Sequence, residues 1–309
     1  MDIAIMIEGQ DGLTWERWKR IALAVEDLGF AGLYRSDHFT NHSPPDKESL
    51  ELWISLAWLA SHTQRIVFGP LVTPASFRHP VFTAWMAKEV DALSEGRLVL
   101  GLGAGWQERE HKAFGFDLLT VEERFQRFRE ALEVITRLLR ADRPVDFNGT
   151  FYQLNGAGLR PRPSNSGRPP ILIGGNGPRY TLPLVTQYAD EWNGVYITPD
   201  RFSELNQTLD ALLKGAGRSS HRVRRSLMTG LVFSRDQAEL ESRLKHWDSS
   251  ADELKARGIV VGVDDQIVEQ VLAFADAGVQ RIMLQWLFLD DLDGLERLAE
   301  LLLPAVSAT

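Results

Sequence analysis

A histidine and an aspartate stand side by side in the segment YRSDHF, directly after a short apolar stretch. They are Asp37 and His38. An imidazole can give or take a proton near neutral pH, and a neighbouring carboxylate favours its protonated form. General acid–base catalysis needs such a group beside the reacting atoms. We therefore interpret His38 as a candidate catalytic residue with Asp37 as its partner; the alternative is a histidine that only packs at the edge of a sheet.

Three glycines at alternate positions mark a second segment, RLVLGLGAGWQE. A dinucleotide-binding fold requires G-x-G-x-x-G, with the third glycine in the first turn of a helix. Counted from Gly101 that position is Trp106, and counted from Gly103 it is Glu108, so both frames fail. We interpret the glycines as places where a flat ligand approaches a strand end closely, because glycine has no Cβ atom. A crowded sheet edge would explain them equally well.

A second glycine cluster follows a later apolar stretch, in ILIGGNG. Its members are Gly174, Gly175, Asn176 and Gly177, and a predicted helix comes next. Consecutive backbone N–H groups and the positive end of a helix together form an anion site. This loop is therefore a candidate phosphate-binding loop, with an ordinary tight turn as the alternative.

The overall composition limits the classes of protein to consider. The chain has 309 residues, 44% of them hydrophobic and 25% charged, which is typical of a protein with a sizeable core. Its formal charge of −8 argues against nucleic acid or an anionic membrane as a general partner. The absence of cysteine excludes disulfides, thiolate metal sites and a cysteine nucleophile. The scattered histidines indicate no metal site. The N-terminus lacks the pattern of a signal peptide, so we expect a cytoplasmic protein.

Short apolar stretches alternate with amphipathic ones from end to end, which predicts alternating strands and helices. The predicted strands begin near Ile3, Gly32, Ile66, Leu98, Ile171, Trp192, Leu227 and Arg281. Eight such units in a chain of this length favour an α/β fold, a closed (β/α)8 TIM barrel, over an open sheet. We expect one domain over residues 1–309. Residues 144–170, which include a hairpin signal in FNGTFYQL, are expected to form an insertion outside the barrel, after the fourth strand–helix unit.

Five segments, taken together and in order, resemble the luciferase-like flavin oxidoreductases. They are IMIEGQDG, YRSDHF, GPLVTPASFRHP, ILIGGNGPRYTLPLVTQYADEW and AGVQRIMLQW. The similarity is closest to the deazaflavin branch, which uses coenzyme F420. It implies an oxidoreductase, as a homodimer, that transfers a hydride between F420 and a small organic substrate. The alternatives are a monooxygenase that uses flavin mononucleotide (FMN) and a flavin-binding protein without activity. A Schiff-base aldolase is disfavoured, because no lysine ends a predicted strand.

The resemblance also implies roles for particular residues. The family carries its coenzyme phosphate at the loop that corresponds to residues 174–177, and the pair corresponding to Asp37 and His38 lies against the ring. Gly103, Ala104 and Gly105 are expected beside the coenzyme. The third strand of the family ends in a non-proline cis peptide, which by alignment is the Pro70–Leu71 bond.

One position departs from part of the family. Some sugar-phosphate dehydrogenases of the deazaflavin branch have a glutamate directly after the glycine pair of the fourth strand, where this chain has Trp106. This difference predicts another substrate. Glu108, two residues further on, is the candidate acid, and Glu8, Trp106 and Gln285 are expected to line the substrate pocket.

Overall fold

The computed structural model describes residues 1–160, 168–245, 247 and 249–307. Residues 161–167, predicted to lie in a loop, are outside the described residues. Within the described part of the chain, no helix has both the length and the apolar character needed to cross a bilayer.

The strands are β1 (Asp2–Ile7), β2 (Gly32–Arg35), β3 (Val67–Pro70), β4 (Thr73–Pro74), β5 (Leu100–Gly103), β6 (Val145–Asn148), β7 (Gln153–Ala157), β8 (Ile171–Gly174), β9 (Glu191–Val195), β10 (Arg224–Ser234), β11 (Val260–Val263) and β12 (Arg281–Gln285). The helices are α1 (Trp15–Asp27), α2 (Leu52–His62), α3 (Pro80–Leu93), α4 (Glu108–Phe114), α5 (Val121–Arg140), α6 (Thr181–Tyr188), α7 (Pro199–Gly215), α8 (Gln237–Leu244), α9 (Ala251–Ala256), α10 (Asp264–Asp276) and α11 (Leu292–Ser307).

A parallel barrel forms the centre of the molecule. Its strands pair in the order β3, β2, β1, β12, β10, β9, β8, β5 and β4. A short parallel bridge between Phe68 and Leu98 joins β3 to the approach of β5 and closes the ring. All eight predicted strands are present, so the predicted barrel is confirmed. That 1–309 is one domain with an insertion after the fourth unit stays a prediction.

One strand was not predicted. β11 pairs in parallel with the second half of β10, from Leu231 to Ser234, while the first half of β10 pairs with β9 and β12. At 11 residues, β10 is about twice as long as its neighbours in the barrel. Its second half therefore extends past them and offers a free edge to β11.

Threonine side chains cap two of the helices. Thr14 caps α1 by accepting a hydrogen bond from the backbone N–H of Arg17, and Thr120 forms a capping box with Glu123 at the start of α5. The predicted hairpin is also present: β6 and β7 pair antiparallel, with the turn after Asn148, and form a sheet separate from the barrel.

The third barrel strand is split. Its first half, β3, pairs with β2 through Pro70, and the N–H of Leu71 still donates to Arg35 O at 2.7 Å. The non-proline cis peptide lies one bond later than predicted, between Leu71 and Val72. The Pro70–Leu71 assignment was therefore wrong by one residue, because the pairing with β2 continues to Leu71. The second half, β4, then pairs with β5.

Val72, at this break, explains several glycines. A Cβ atom at Gly103 would stand 2.6 Å from Val72 Cγ2, and one at Gly174 would stand 3.1 Å from Val72 Cγ1. A Cβ atom at Gly101 would overlap the carbonyl oxygen of Pro70. The crowded edge, the alternative given above, is thus sufficient to explain why these positions are glycine.

We expect Gly101→Ala to destabilise the protein by about 1–3 kcal/mol, the usual cost of overpacking, because its Cβ would meet a backbone atom of Pro70. The thermal unfolding midpoint, followed by circular dichroism, measures the effect. Gly158→Ala is the matched control, since nothing lies within 4 Å of the Cβ it would add, and it should change stability by less than about 0.5 kcal/mol. Equal midpoints for the two variants would contradict the packing argument.

Candidate active site

A cavity of about 690 Å³ opens at the carboxyl ends of the barrel strands. Its lower wall is apolar and comes from Met6, Leu71, Val72, Val195 and Met228. Active sites of such barrels lie at this end, and the volume is typical of a small-molecule site. Its polar side chains are therefore the candidates for chemistry.

His38 lines the cavity and is bound to a buried carboxylate. Its Nδ1 lies 2.7 Å from Glu110 Oε1, and the other oxygen of Glu110 accepts the backbone N–H of Phe39 at 3.0 Å. The side chain of Glu110 is only 1% exposed. Since a carboxylate accepts, Nδ1 carries the hydrogen. Nε2 then has no hydrogen-bond partner in the described residues.

The pair changes the proton affinity of the histidine. Burial by itself lowers the pKa of His38, but the hydrogen bond and charge of Glu110 outweigh it, with smaller contributions from Glu8 and Asp37. The pKa of His38 is consequently raised above its ordinary value of 6.5. The ring is thus biased toward its protonated form near neutral pH.

Asp37 does not bond the His38 ring, contrary to the sequence-based interpretation. Its carboxylate accepts from Thr73 Oγ1 at 2.6 Å and from Arg78 Nη1 at 2.5 Å, and Arg78 also bonds Glu51. Asp37 is buried and does not contribute to the cavity wall. It joins the exit of β2 to β4 and to the start of α2, and so holds the backbone that presents His38.

Glu108, the candidate acid of the sequence analysis, is exposed and lies outside the cavity wall, whereas Glu110 is buried beside His38. The two positions are two residues apart on α4, which turns the side chains about 200° apart. The helix start at Gln107 decides which one faces inward, and the sequence offered no strong cap to fix that start.

Aromatic rings hold α4 in place. Phe39 packs against Phe77 and Phe114 with ring centroids 4.8 and 4.9 Å apart, and Phe116 lies 5.1 Å from Phe77. We call these four residues the phenylalanine cluster. The cluster packs Phe39, whose backbone N–H donates to Glu110, against the end of α4, the helix that carries Glu110.

Glu8, Trp106 and Gln285 were predicted to line the substrate pocket. Glu8 and Trp106 line the cavity, but Gln285 is buried and does not contribute to the cavity wall. Gln285 Nε2 donates to Glu8 Oε1 at 2.6 Å, and its carbonyl accepts from the Tyr196 hydroxyl at 2.7 Å. Gln10 donates to the second oxygen of Glu8. Gln285 therefore positions Glu8 and Tyr196 rather than facing the cavity.

The glycine loop after β8 is only partly in the cavity. Gly174 and Gly175 line it, and Gly175 has a φ of +131°, a conformation that favours glycine. The N–H of Gly175 is already used, because it donates to Asn193 O at 2.9 Å. Thr181, the first residue of α6, also lines the cavity.

Asn176 and Gly177 do not face the cavity, and their hydrogen bonds hold the loop in place. The side chain of Asn176 donates to Val195 O at 2.7 Å and accepts from Val195 N at 2.9 Å, which ties the loop to the end of β9. The carbonyl of Gly177 accepts the N–H groups of Thr181 and Leu182. Neither residue contributes to the cavity wall.

Arg124 is a cavity residue that the sequence interpretation did not identify. It lies in the first turn of α5, and its Nη1 donates to Gly105 O at 2.8 Å. Its Nε is buried and has no partner in the described part of the chain. The only sequence signal is its place one turn after the helix cap Thr120. Gly103, Ala104 and Gly105 line the same wall, as expected.

Comparison with known proteins places this fold and site in a family. The family model for luciferase-like monooxygenases matches residues 3–251. The chain belongs to this family.

Two relatives of this luciferase-like chain are named for oxidoreductase reactions. An F420-dependent glucose-6-phosphate dehydrogenase of Amycolatopsis mediterranei is 28% identical over 302 residues, which cover 85% of this chain and 86% of the relative. A 5,10-methylenetetrahydromethanopterin reductase of Archaeoglobus fulgidus is 34% identical over 198 residues, 63% of this chain and 54% of the relative.

A solved structure supports the same fold. An F420-dependent secondary alcohol dehydrogenase in complex with an F420–acetone adduct superposes with a TM-score of 0.87 at 19% identity, covering 99% of this chain and 98% of the other. At that identity the likeness concerns the fold alone.

We expect Glu110→Gln to lower the pKa of His38, because it removes the charge that raises this pKa while the burial that lowers it remains. His38 should then lose its proton at a lower pH than in the wild type. Nuclear magnetic resonance of the histidine ring protons as a function of pH measures this. Glu108→Gln, which changes an exposed glutamate of the same helix, is the control and should leave the His38 titration as in the wild type. An unchanged His38 titration in Glu110→Gln would contradict the pairing.

Proposed function

We propose that this protein is an oxidoreductase that transfers a hydride between coenzyme F420 and a small organic substrate. The observation that carries the proposal is the His38–Glu110 pair, which presents a protonatable nitrogen to an apolar cavity at the active end of the barrel. The relative named as F420-dependent, which aligns over most of both chains, supports this coenzyme.

The cavity suits a flat heteroaromatic ring. Gly103 and Gly174 leave part of its wall without side chains, and Val72 protrudes between them. Asn193 adds a polar group: its Oδ1 is buried without a partner in the described residues, while its Nδ2 donates to Ser226. A ring N–H of a bound deazaflavin would satisfy this oxygen. An unpaired buried acceptor otherwise costs about 1–3 kcal/mol.

Arg124 and the loop after β8 are suited to the coenzyme phosphate. The guanidinium of Arg124 has an unused donor, and the Thr181 hydroxyl and the start of α6 lie at the same cavity. A guanidinium and a hydroxyl both donate hydrogen bonds to an anion. We propose that Arg124 and Thr181 hold the phosphate, that Gly175 leaves room for it, and that Asn176 fixes the loop. This proposal replaces the predicted backbone donors of residues 174–177 with side-chain donors.

His38 is proposed to move the proton of the reaction. When bound, F420 supplies or accepts the hydride. Nε2 of His38 donates a proton to the substrate oxygen in one direction and accepts it in the other. Glu110 keeps the hydrogen on Nδ1, so that Nε2 stays directed to the cavity, and stabilises the charged ring. The phenylalanine cluster packs beside Glu110 and keeps water away from its carboxylate.

A homodimer is part of the proposal. Ile54 on α2 and Phe82 and Trp85 on α3 are 62%, 63% and 45% exposed, and these two helices pack side by side. An exposed apolar face of this kind marks an association surface, and a second copy of the chain is the simplest partner for a two-fold interface. Sedimentation of a monomer at micromolar concentration would contradict it.

Coenzyme binding is expected to depend on Arg124. Titration of the protein with F420 and with FMN, followed by absorbance, should show saturable binding of F420. Arg124→Gln should weaken it about tenfold to a hundredfold, the value of one charge-assisted hydrogen bond. Arg129→Gln, an exposed arginine of the same helix, is the control and should bind normally. Uptake of FMN alone would instead favour the monooxygenase alternative.

His38→Ala is expected to lower turnover about a hundredfold to ten-thousandfold, the usual value of one general acid–base group, with F420 affinity within about tenfold of the wild type. Steady-state rates and the coenzyme titration measure the two quantities separately. Normal turnover in this variant would mean that His38 only lines the cavity and does not transfer a proton. Lost turnover with retained coenzyme binding also distinguishes an enzyme from a protein that only binds a flavin.

A further inference from the structure

The charges at the cavity are unevenly distributed. Among its described wall residues, Glu8 and Glu110 are the carboxylates and Arg124 is the guanidinium. Glu110 is paired with His38, but Glu8 is held by two neutral amides, those of Gln10 and Gln285. No ion pair to Glu8 is formed in the described part of the chain. The end of the cavity that holds His38 is therefore negative or neutral.

The one guanidinium of the described wall belongs to Arg124. It donates to the carbonyl of Gly105, the residue before Trp106. The proposed function assigns it to the coenzyme phosphate, so it is not free to bind an anionic substrate. Arg257 acts on the hydroxyl of Tyr196 through its charge, but it is exposed and does not line the cavity.

The mouth of the cavity offers an apolar surface. Trp106 is 56% exposed although it lines the cavity. Its ring meets His38 edge-on, with centroids 5.7 Å apart, and lies 5.4 Å from the ring of His42. The indole is thus fixed next to the proposed proton donor, with much of its surface open to a bound molecule.

Resting on the proposed function, we propose that the substrate is an uncharged alcohol or carbonyl compound whose apolar part packs on Trp106, and that Glu8 excludes anionic analogues. An anion placed beside Glu8 would lose its hydration and would meet only the His38 ring, whose charge Glu110 already balances. Trp106 is then the residue that determines substrate size, and Glu8 the residue that determines substrate charge.

The reaction is balanced with this substrate. In oxidation, the carbinol carbon gives up its hydrogen with both electrons as a hydride to oxidised F420, and the hydroxyl proton passes to Nε2 of neutral His38. The carbon–oxygen bond becomes a carbonyl. In reduction, the carbonyl carbon receives the hydride from reduced F420, and protonated His38 returns the proton to the oxygen.

The test uses two pairs of alcohols that differ only in one group. 1-Phenylethanol and mandelate differ by a methyl against a carboxylate, and so do 2-propanol and lactate. F420 reduction is followed by absorbance for all four and for glucose 6-phosphate. We expect kcat/KM for each uncharged alcohol to exceed that of its carboxylate at least about a hundredfold, which corresponds to about 2.7 kcal/mol.

Three variants test which residues determine the substrate preference. Glu8→Gln should narrow the gap between each alcohol and its carboxylate about tenfold. Trp106→Ala should raise KM for 1-phenylethanol about tenfold more than KM for 2-propanol. Trp15→Ala, which removes a partly exposed tryptophan of α1 outside the cavity wall, is the matched control and should change neither value. Thermal midpoints verify that all variants are folded.

Each other outcome overturns the inference in a recognisable way. A protein that binds F420 but prefers a carboxylate, or turns over none of the alcohols, refutes the substrate class and leaves the coenzyme proposal standing. Preference for glucose 6-phosphate refutes it and points to Arg257 as a phosphate contact. Failure to bind F420 at all would contradict the proposed function, and therefore also this inference, which rests on it.

Discussion

Glu110 is a buried carboxylate, and hydrogen bonds from its neighbours offset the free-energy cost of burying its charge. A carboxylate out of water must receive hydrogen bonds, and Glu110 receives them from His38 and from the backbone of Phe39. Breaking such a buried pair costs about 3–5 kcal/mol. The exit of β2 and the start of α4 are therefore coupled through one side chain. The same contact fixes the tautomer of His38, raises its pKa and leaves Nε2 for the substrate.

The break in the third strand is the second constraint. Because β3 pairs with β2 as far as Leu71 and β4 pairs with β5 from Thr73, Val72 belongs to neither ladder and lies against the glycines of β5 and β8. Glycine suits its neighbours on β5 and β8, since a Cβ atom at Gly103 would clash with Val72 and one at Gly174 would be in tight contact with it. The same packing that fills the barrel edge produces a smooth wall on which a flat ring can lie. The lack of a side chain at Gly103 and Gly174 therefore serves both the packing of the barrel edge and the binding of a flat ring.

The charged groups of the cavity wall differ in how they are paired. Arg124 keeps one donor without a partner in the described residues, Glu8 is held by neutral amides, and Glu110 is paired with His38. In a cavity with apolar walls, electrostatic interactions are stronger than in water, so each of these groups has a strong effect on the charge of the molecule that binds beside it.

The sequence by itself favoured the barrel, because eight strand–helix units in a chain of this length suit a closed barrel better than an open sheet. It also determined that His38, Glu8, Gly103 and Gly174 would meet, since carboxyl ends of parallel strands share one face. It could not determine which carboxylate bonds His38. Asp37 is adjacent in the chain but turns to Arg78 and Thr73, while Glu110 reaches the ring from 72 residues away. That choice depends on the rotation of α4, on where the pairing of β3 ends, and on the packing of Phe39 against distant rings. Sequence neighbours share a backbone, but the direction of a side chain is decided by the elements that pack around it, and only the tertiary structure brings those together.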